Sequence, residues 1–252
     1  MRVDHRAFDA LRPVEATIGF HRPSDGSVLY RAGRTLVLCT ASIDEKLPPF
    51  LEGQGKGWVT AEYMMHPRAN PPRREGREGR GNKQVSGRTQ EIQRLIGRAL
   101  RAAVRLDRLG ERQIVIDCDV LEADGGTRTA SVTGGFIALS VALAKLLANG
   151  KCKPGVLREP VAAISAGVLK DGKVVLDLNY VEDSSAEIDL NLVATESGNV
   201  IEIQGTAEGE PVPRVKVDML MNLAQKGITE LNHMQRRVLE AHGVPFADLI
   251  KG

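Results

Sequence analysis

The chain has 252 residues, of which 42% are hydrophobic, 26% charged and 4% aromatic. This composition is typical of a globular protein with one large core or two modest ones, and so few aromatic rings argue against an aromatic platform for stacked bases. We find neither a signal peptide nor an uninterrupted apolar run long enough to cross a bilayer, so we expect a cytoplasmic protein without a membrane partner.

The net charge of +2 conceals an uneven distribution. Residues 66–108 contain twelve Lys and Arg against four acidic residues, whereas the rest of the chain contains 22 basic and 28 acidic residues. A basic segment on an otherwise acidic protein is typical of a polyanion partner. The alternative is an ordinary solvated helix with a charged face.

The N-terminal half reads as strands followed by helices. Alternation and β-branched residues predict strands at 26–30, 35–43, 58–63 and 113–121, the first two joined by a turn at Gly33. Apolar residues at a 3.6-residue period predict an amphipathic helix over 89–109, with arginines on its other faces. A second helix, nearly free of charge, is expected from about residue 128 to 147.

A basic loop is expected between the third strand and the first helix. Residues 67–83 contain three prolines and three glycines, which exclude a regular helix or strand. Its arginines are Arg68, Arg73, Arg74, Arg77 and Arg80. We therefore predict a mobile basic loop.

The second half repeats this organisation. Strands are predicted at 161–169 and 174–180 around an Asp171-Gly172 turn, and at 188–194 and 200–204 around Gly198, followed by a helix over 214–241. Residues 154–160 resemble a linker. The pattern predicts two similar α+β units, 1–150 and 151–252, packed into one body.

The segment Glu122-Ala-Asp-Gly-Gly-Thr-Arg128 joins a predicted strand to a predicted helix. Gly125 and Gly126 allow close backbone approach, and the amides and positive dipole end of the helix favour an anion. Arg128 adds a guanidinium suited to phosphate oxygens. The alternative is an ordinary strand-to-helix turn with Thr127 as the N-cap.

An acidic cluster follows in the second unit. Thirteen residues contain Asp177, Glu182, Asp183, Glu187 and Asp189. Asp183 and Asp189 flank a short turn that can bring their carboxylates together, and crowded carboxylates require a cation or a general-acid role. The alternative is a polar hairpin tip.

Arg88 lies at the predicted start of the basic helix, where the helix dipole opposes a cation unless an anion lies between them. The alternative is an ordinary surface arginine after a loop. With the glycine-rich helix start and the acidic pair, Arg88 indicates an enzyme that handles phosphate and RNA. If the anion is inorganic phosphate, that phosphate can itself attack a phosphodiester.

Several other chemistries lack support. Cys39, Cys118 and Cys152 are scattered, which predicts reduced core residues and no disulfide framework or zinc site. The histidines have no metal-ligand spacing, and neither a P-loop nor a nucleophile elbow occurs. The histidines are His5, His21, His66, His233 and His242.

The chain resembles the ribonuclease PH family of phosphate-dependent 3′→5′ exoribonucleases, nearly from end to end. The motifs that carry this resemblance are Leu11-Arg-Pro-Val, Leu38-Cys-Thr-Ala-Ser, Gly53-Gln-Gly-Lys-Gly-Trp-Val-Thr-Ala-Glu-Tyr63, Gly87-Arg-Thr-Gln-Glu-Ile-Gln-Arg-Leu-Ile-Gly-Arg98, Ala123-Asp-Gly-Gly-Thr-Arg-Thr129, Asp177-Leu-Asn-Tyr, Glu182-Asp-Ser and Gln204-Gly-Thr-Ala-Glu-Gly209. Their number and order make the resemblance more specific than any one of them.

The resemblance implies an α+β fold of duplicated βαβα units, of the ribonuclease PH and ribosomal protein S5 domain 2-like type, in a homohexamer built as a trimer of dimers. It implies phosphorolysis of RNA, trimming of tRNA precursor 3′ ends, release of nucleoside diphosphates and a possible reverse addition, with no DNA partner. The implied residues are Arg88, Gly126, Thr127 and Arg128 for inorganic phosphate, Asp183 and Asp189 for catalysis and Mg²⁺, and Arg68, Arg73, Arg74 and Arg77 for RNA.

Two departures from the family pattern are visible: Ser86 replaces a usual glycine, and Pro211-Val-Pro-Arg214 replaces a Pro-Phe-Ser-Arg-like run. Neither removes a charged site residue. The residues from 241 to the C-terminus are expected to be peripheral.

Two rival functions are a catalytically silent RNA-binding ring subunit and a hydrolytic ribonuclease that uses a bound metal and water.

Overall fold

The computed structural model describes residues 2–72, 74–79 and 84–251, which form two β-sheets. The first sheet has the order β1-β2-β3-β5-β4 and the second the order β7-β6-β8-β9. Neighbouring strands are antiparallel except β4 and β5, which are parallel. The strands are β1 (Val14–Ile18), β2 (Gly26–Ala32), β3 (Thr35–Asp44), β4 (Trp58–Met65), β5 (Gln113–Glu122), β6 (Val161–Val168), β7 (Val174–Leu176), β8 (Ile188–Thr195) and β9 (Val200–Ala207).

Six α-helices are assigned in the described residues, with a short 3₁₀ turn at Pro49–Leu51. They are α1 (Gly87–Ala103), α2 (Leu106–Leu109), α3 (Thr127–Ala148), α4 (Tyr180–Asp183), α5 (Arg214–Ala241) and α6 (Phe246–Ile250). α3 contacts β2 and β3 of the first sheet and β6 of the second, α1 packs on β4, and α5 packs on β6 and β8. One hydrophobic core includes side chains of both sheets, and the division into units 1–150 and 151–252 stays a prediction.

α3 is buried around nearly its whole circumference, because its sequence has no charged residue between Arg128 and Lys145. Its length and hydropathy would also suit a membrane span, contrary to the expectation that no such run exists. However, 89% of its apolar window is buried inside the protein, as in the core helix of a globular fold.

The hairpins predicted around Gly33, Asp171-Gly172 and Gly198 are confirmed as the antiparallel pairs β2–β3, β6–β7 and β8–β9. All three cysteines are free and buried, as predicted. β1 has no counterpart among the predicted strands. It pairs with β2 at the edge of the first sheet.

The predicted helix over 89–109 is interrupted. α1 ends at Ala103 because Val104 is extended and bridges Leu157, while the amide of Arg105 donates to the Val156 carbonyl at 2.7 Å. These hydrogen bonds join the end of α1 to the predicted linker. The backbone therefore exchanges helical bonds for tertiary ones at this point.

The predicted strand over 174–180 is also wrong in its second half. β7 ends at Leu176, Asp177 adopts a left-handed backbone with φ of 55°, and Asn179 caps the one-turn helix α4 through its side chain. The C-terminal segment is not peripheral, because Phe246 and Leu249 of α6 are 1% and 0% exposed within the core.

Candidate functional site

A cavity of about 480 Å³ opens between the two sheets. It is lined by the end of β4, the N-terminal ends of α1 and α3, α4 and the start of β8. Six predicted site residues lie along its wall: Arg88, Gly126, Thr127, Arg128, Asp183 and Asp189. The structure thus brings the predicted phosphate-binding residues and the predicted acidic pair into one cavity.

The glycine-rich turn forms the floor on the first-sheet side. Gly125 and Gly126 are both left-handed, with φ of 75° and 65°, and Gly126 is the N-cap of α3. Thr127 is therefore the first helical residue and not the N-cap, and its hydroxyl lies 2.9 Å from the Tyr63 hydroxyl. Because the first amides of an α-helix have no acceptor within the helix, this end of α3 suits an anion.

Two guanidinium groups flank this helix start. Arg88 lies in the first turn of α1, which Ser86 caps by accepting a hydrogen bond from the Thr89 amide at 3.2 Å. Arg128 donates through Nη1 to Oε1 of Gln204 at 2.7 Å. Gln204 lies on β9, so the second sheet orients an arginine that we predicted to bind phosphate.

Asp183 ends α4, and Asp189 is the second residue of β8. Burial and the neighbouring Asp183 carboxylate raise the pKa of Asp189 to about 6, although Arg128, Arg88 and a hydrogen bond from Asn191 favour its ionised form. Partial burial also raises the pKa of Asp183, against the influence of Arg128 and Arg88. Two carboxylates with raised pKa values, close enough to repel each other, form a place where a divalent cation would be favourable.

The acidic cluster is divided by its burial. Asp177 and Glu182 are 1% and 4% exposed and form ion pairs with arginines behind the cavity, and Glu187 lies on the surface. The interpretation of the cluster as a hairpin tip is wrong, because β6 lies between β7 and β8 in the sheet and the connection between these two strands contains α4. Among the described residues, no group of three or more His, Cys, Asp or Glu side chains is arranged to hold a metal. A cation would therefore rely on Asp183, Asp189, water and phosphate oxygens, the mode that Mg²⁺ commonly uses.

The basic loop reaches the mouth of the cavity through its other residues. Asn70, Glu75 and Glu78 line the cavity, and Glu78 accepts a hydrogen bond from the Ser86 amide at 3.0 Å. Arg68, Arg74 and Arg77 are exposed to solvent and do not line the cavity, and Arg73 lies outside the described residues. No helix or strand is assigned in the described part of this loop, as predicted.

Sequence reasoning missed three participants: Tyr63, Asn191 and Gln204. Each contacts a predicted site residue through its side chain, respectively Thr127, Asp189 and Arg128. Gln204 was visible as the first residue of the Gln204-Gly-Thr-Ala-Glu-Gly209 motif, which carries part of the family resemblance. Tyr63 is the last residue of another motif that carries the resemblance, whereas Asn191 lies in none of these motifs.

Comparison with known proteins gives consistent matches. The family model "3′ exoribonuclease family, domain 1" matches residues 10–144, and domain 2 of the same family matches residues 159–227. Ribonuclease PH of Bacillus pumilus is 52% identical over 240 residues, covering 94% of this chain and 98% of that protein. Ribonuclease PH of Neisseria meningitidis is 55% identical over 236 residues, covering 94% of this chain and 96% of that protein.

Solved structures share the fold at low sequence identity. Rice Rrp46 matches with a TM-score of 0.75 at 19% identity, covering 94% of this chain and all of that chain. A structure of the Archaeoglobus fulgidus exosome with RNA bound to the active site matches with a TM-score of 0.73 at 20% identity, covering 92% of each chain. These matches confirm the predicted α+β fold of the ribonuclease PH type. With two family models and relatives above 50% identity spanning nearly all of its length, the chain belongs to the 3′ exoribonuclease family that includes the ribonuclease PH proteins.

Proposed function

We propose that this protein is a phosphorolytic 3′→5′ exoribonuclease, which shortens RNA with inorganic phosphate and releases nucleoside diphosphates. The single observation that carries the proposal is the joint presence of an anion-binding helix start, two arginines and an acidic pair in one cavity. The similarity to ribonuclease PH proteins over nearly the whole chain supports the same conclusion.

In this proposal, the cavity binds two phosphate groups next to each other. Hydrogen phosphate lies against the start of α3, with Gly126, Thr127, Arg88 and Arg128 as its partners. The last phosphodiester of the RNA lies towards Asp183 and Asp189. Binding both groups in one place supplies the positioning on which phosphoryl transfer mainly depends.

The reaction then balances without an outside reagent. An oxygen of hydrogen phosphate attacks the terminal phosphodiester phosphorus, and the bond from that phosphorus to the O3′ oxygen of the penultimate nucleotide breaks. The proton carried by hydrogen phosphate balances the proton that the released O3′ oxygen gains. The products are RNA shortened by one nucleotide and a nucleoside diphosphate, and the reverse direction adds a nucleotide.

Mg²⁺ is the proposed cofactor, with Asp183 and Asp189 as its protein ligands. When bound, it supplies positive charge that stabilises charge developing on the phosphoryl oxygens. The guanidinium groups of Arg88 and Arg128 serve the same electrostatic purpose on the phosphate side. Removing them is therefore expected to affect phosphate use, whereas removing a carboxylate affects turnover.

For the substrate, we propose the 3′ ends of tRNA precursors, guided by the exposed arginines of the basic loop at 67–83. We further propose a cytoplasmic homohexamer, a trimer of dimers. Large apolar side chains that stay exposed on the single chain support association, because a monomer seldom leaves many of them in water. They include Phe20, Phe50, Val200, Ile203, Val215 and Met219.

The silent ring subunit is the second candidate, and the cavity argues against it. A subunit that only builds a ring needs neither the two arginines nor the two aspartates, yet Arg88, Arg128, Asp183 and Asp189 all line one cavity. A hydrolytic nuclease would have no use for a phosphate pocket beside its acidic pair.

The decisive experiment measures nucleotide release from a short 3′-tailed RNA with and without inorganic phosphate, and separates diphosphates from monophosphates. We expect diphosphates that appear only when phosphate is added. Monophosphates without phosphate would identify a hydrolase, and RNA binding without release would identify a silent subunit. Mass measurement of the same preparation tests the hexamer separately.

A further inference from the structure

A group of buried charged side chains lies directly behind the cavity. Arg2, Arg12, Asp177 and Glu182 are 2%, 4%, 1% and 4% exposed, although charged residues are rarely so buried. Burial of a charge is unfavourable unless the charge is paired and hydrogen-bonded. We call these four residues the rear ion cluster. Its two arginines come from the N-terminal segment and its two acids from the second half of the chain.

Every polar atom of the Asp177 side chain is used within this cluster. Oδ2 accepts the backbone amide of Arg12 at 2.7 Å, and Oδ1 accepts Nη2 and Nε of the same arginine at 2.7 and 3.1 Å. The Asp177 carbonyl accepts Nη2 of Arg2 and Nη2 of Arg6, both at 3.0 Å. These bonds hold Asp177 in its left-handed conformation, which is unfavourable for a residue with a side chain.

The free edge of the Arg12 guanidinium faces the phosphate-binding turn. Its Nη1 donates to the Asp124 carbonyl at 2.7 Å and to the Gly125 carbonyl at 3.4 Å. Thr35 holds the same two residues from the other side, since its hydroxyl accepts the Asp124 amide at 2.9 Å and donates to the Gly125 carbonyl at 2.7 Å. The carbonyls of the turn are thus held by Arg12 and Thr35, while Gly126, Thr127 and Arg128 at the start of α3 line the cavity.

The same turn abuts the segment that carries the acidic pair. A Cβ atom built on Gly125 would lie 2.7 Å from the carbonyl carbon of Asn179 and 2.8 Å from the Tyr180 nitrogen, so the two backbones are in direct contact. Oδ1 of Asp124 also accepts the Tyr180 amide at 3.4 Å. A shift of the turn would therefore move α4, which ends at Asp183.

We propose that Arg12, fixed by Asp177, is a positioning residue that holds the Asp124–Gly126 turn in its phosphate-binding conformation and in register with the helix bearing Asp183. This inference rests on the proposed phosphorolytic function and adds to it a residue that touches neither phosphate nor RNA. We therefore expect a specific defect in phosphate use when Arg12 loses its contacts with the Asp124 and Gly125 carbonyls.

The test replaces Arg12 by lysine, because lysine keeps the charge opposite Asp177 but cannot make the forked contacts with two carbonyls. We expect the KM for phosphate to rise roughly tenfold or more, the scale of one lost charge-assisted hydrogen bond. The Kd for RNA, measured without phosphate, should stay within about twofold. A residue that merely stabilised the fold would not separate these two quantities.

Arg105→Lys provides a matched control. Nη1 of Arg105 also donates to two backbone carbonyls, those of Gly155 and Leu157 at 2.6 and 2.5 Å. This arginine lies just beyond the end of α1 that is remote from Arg88. We expect this variant to lower the thermal midpoint without changing the KM for phosphate. Thr35→Val is the second test variant, since it removes the other support of the turn without disturbing a charge.

The outcomes separate cleanly. A raised phosphate KM in Arg12→Lys, absent from Arg105→Lys, supports the inference, and an unchanged phosphate KM overturns it. If Arg12→Lys fails to fold, Thr35→Val decides by the same criterion. If the unmodified protein releases no diphosphates when phosphate is added, the proposed function fails first and the positioning role with it.

Discussion

Asp189 lies in the same cavity as Asp183, and its pKa is raised to about 6, first by burial and then by the charge of Asp183. Arg128, Arg88 and the Asn191 amide partly offset these effects. The ionised pair is therefore unfavourable for the fold in the absence of a cation. Such a conflict between stability and local charge is typical of functional sites.

A first prediction follows for the pH dependence of stability. The folded-state pKa of Asp189 is raised above the ordinary value of 3.8. Its contribution to the stability of the folded protein is therefore most favourable below about pH 4 and is lost as the pH rises through about 6. Asp189→Asn should therefore raise the thermal midpoint of metal-free protein at pH 8 and leave it nearly unchanged below pH 4. The variant should also be folded and without turnover.

Thermal melts with a chelator, from pH 4 to pH 8, measure this difference. Asp218→Asn serves as the control, since Asp218 is exposed and its pair with Arg214 is long, at 3.8 Å. We expect that control to show no comparable pH-dependent gain. Near-normal turnover of Asp189→Asn would contradict the assignment of Asp189 to the catalytic pair.

The second prediction concerns Arg88→Ala. If the Arg88 guanidinium binds phosphate as proposed, its loss should raise the KM for phosphate by roughly 10- to 100-fold, while RNA binding changes little. Arg94→Ala, an exposed arginine farther along α1, is the matched control for the loss of one positive charge. An equal loss of phosphate use and RNA binding in Arg88→Ala would contradict a specific phosphate role.

The third prediction compares two left-handed glycines. Gly125 has φ of 75°, and a Cβ there would meet backbone atoms at 2.7 to 2.8 Å, whereas Gly172 has φ of 78° with nothing within 4 Å. Gly172→Ala should lower the free energy of unfolding by about 1–2 kcal/mol through backbone strain alone. Gly125→Ala should lower the free energy of unfolding by a larger amount, because the added Cβ must push apart the contact between the turn and the 178–180 segment.

Chemical denaturation of both variants tests this ordering, and phosphate KM provides a second measure. The shift of the turn in Gly125→Ala should weaken phosphate use, while Gly172→Ala leaves it unchanged. Equal destabilisation of the two variants would mean that the turn moves freely away from α4.

Much of this architecture could be predicted from local sequence. The two glycines before α3, the amphipathic period of α1 and the tight turns of three hairpins are local signals, and each of these features is present in the structure. The joint position of Arg88, Arg128, Asp183 and Asp189 followed from the family resemblance. Spacing along the chain indicated only three separate features: the glycine-rich segment with Arg128, the acidic cluster with Asp183 and Asp189, and Arg88 at a helix start.

The remaining features depend on contacts between distant parts of the chain. Arg2 and Glu182 are 180 positions apart, and no local pattern indicates that they form a buried ion pair. The sequence at 174–180 alternates as in a strand, but the strand ends early because arginines of the N-terminal segment bind Asp177 in a left-handed conformation. Those arginines are far away along the chain, so no local pattern indicates this turn. The burial of Phe246 likewise depends on packing against Phe136 of α3, with ring centroids 6.4 Å apart.

The last prediction concerns the loop arginines, which are exposed and do not line the cavity. If Arg74 and Arg77 contact RNA phosphates, each serine substitution should weaken RNA binding for all sequences and reduce the slope of log K against log salt by about 0.7. The KM for phosphate should not change. Arg158→Ser is the control, because the Arg158 amide donates to the carbonyl of Ala103, which lies about 22 Å along α1 from Arg88. A salt slope lowered equally by the control would assign the effect to net charge, and the loop would lose its role as the RNA guide.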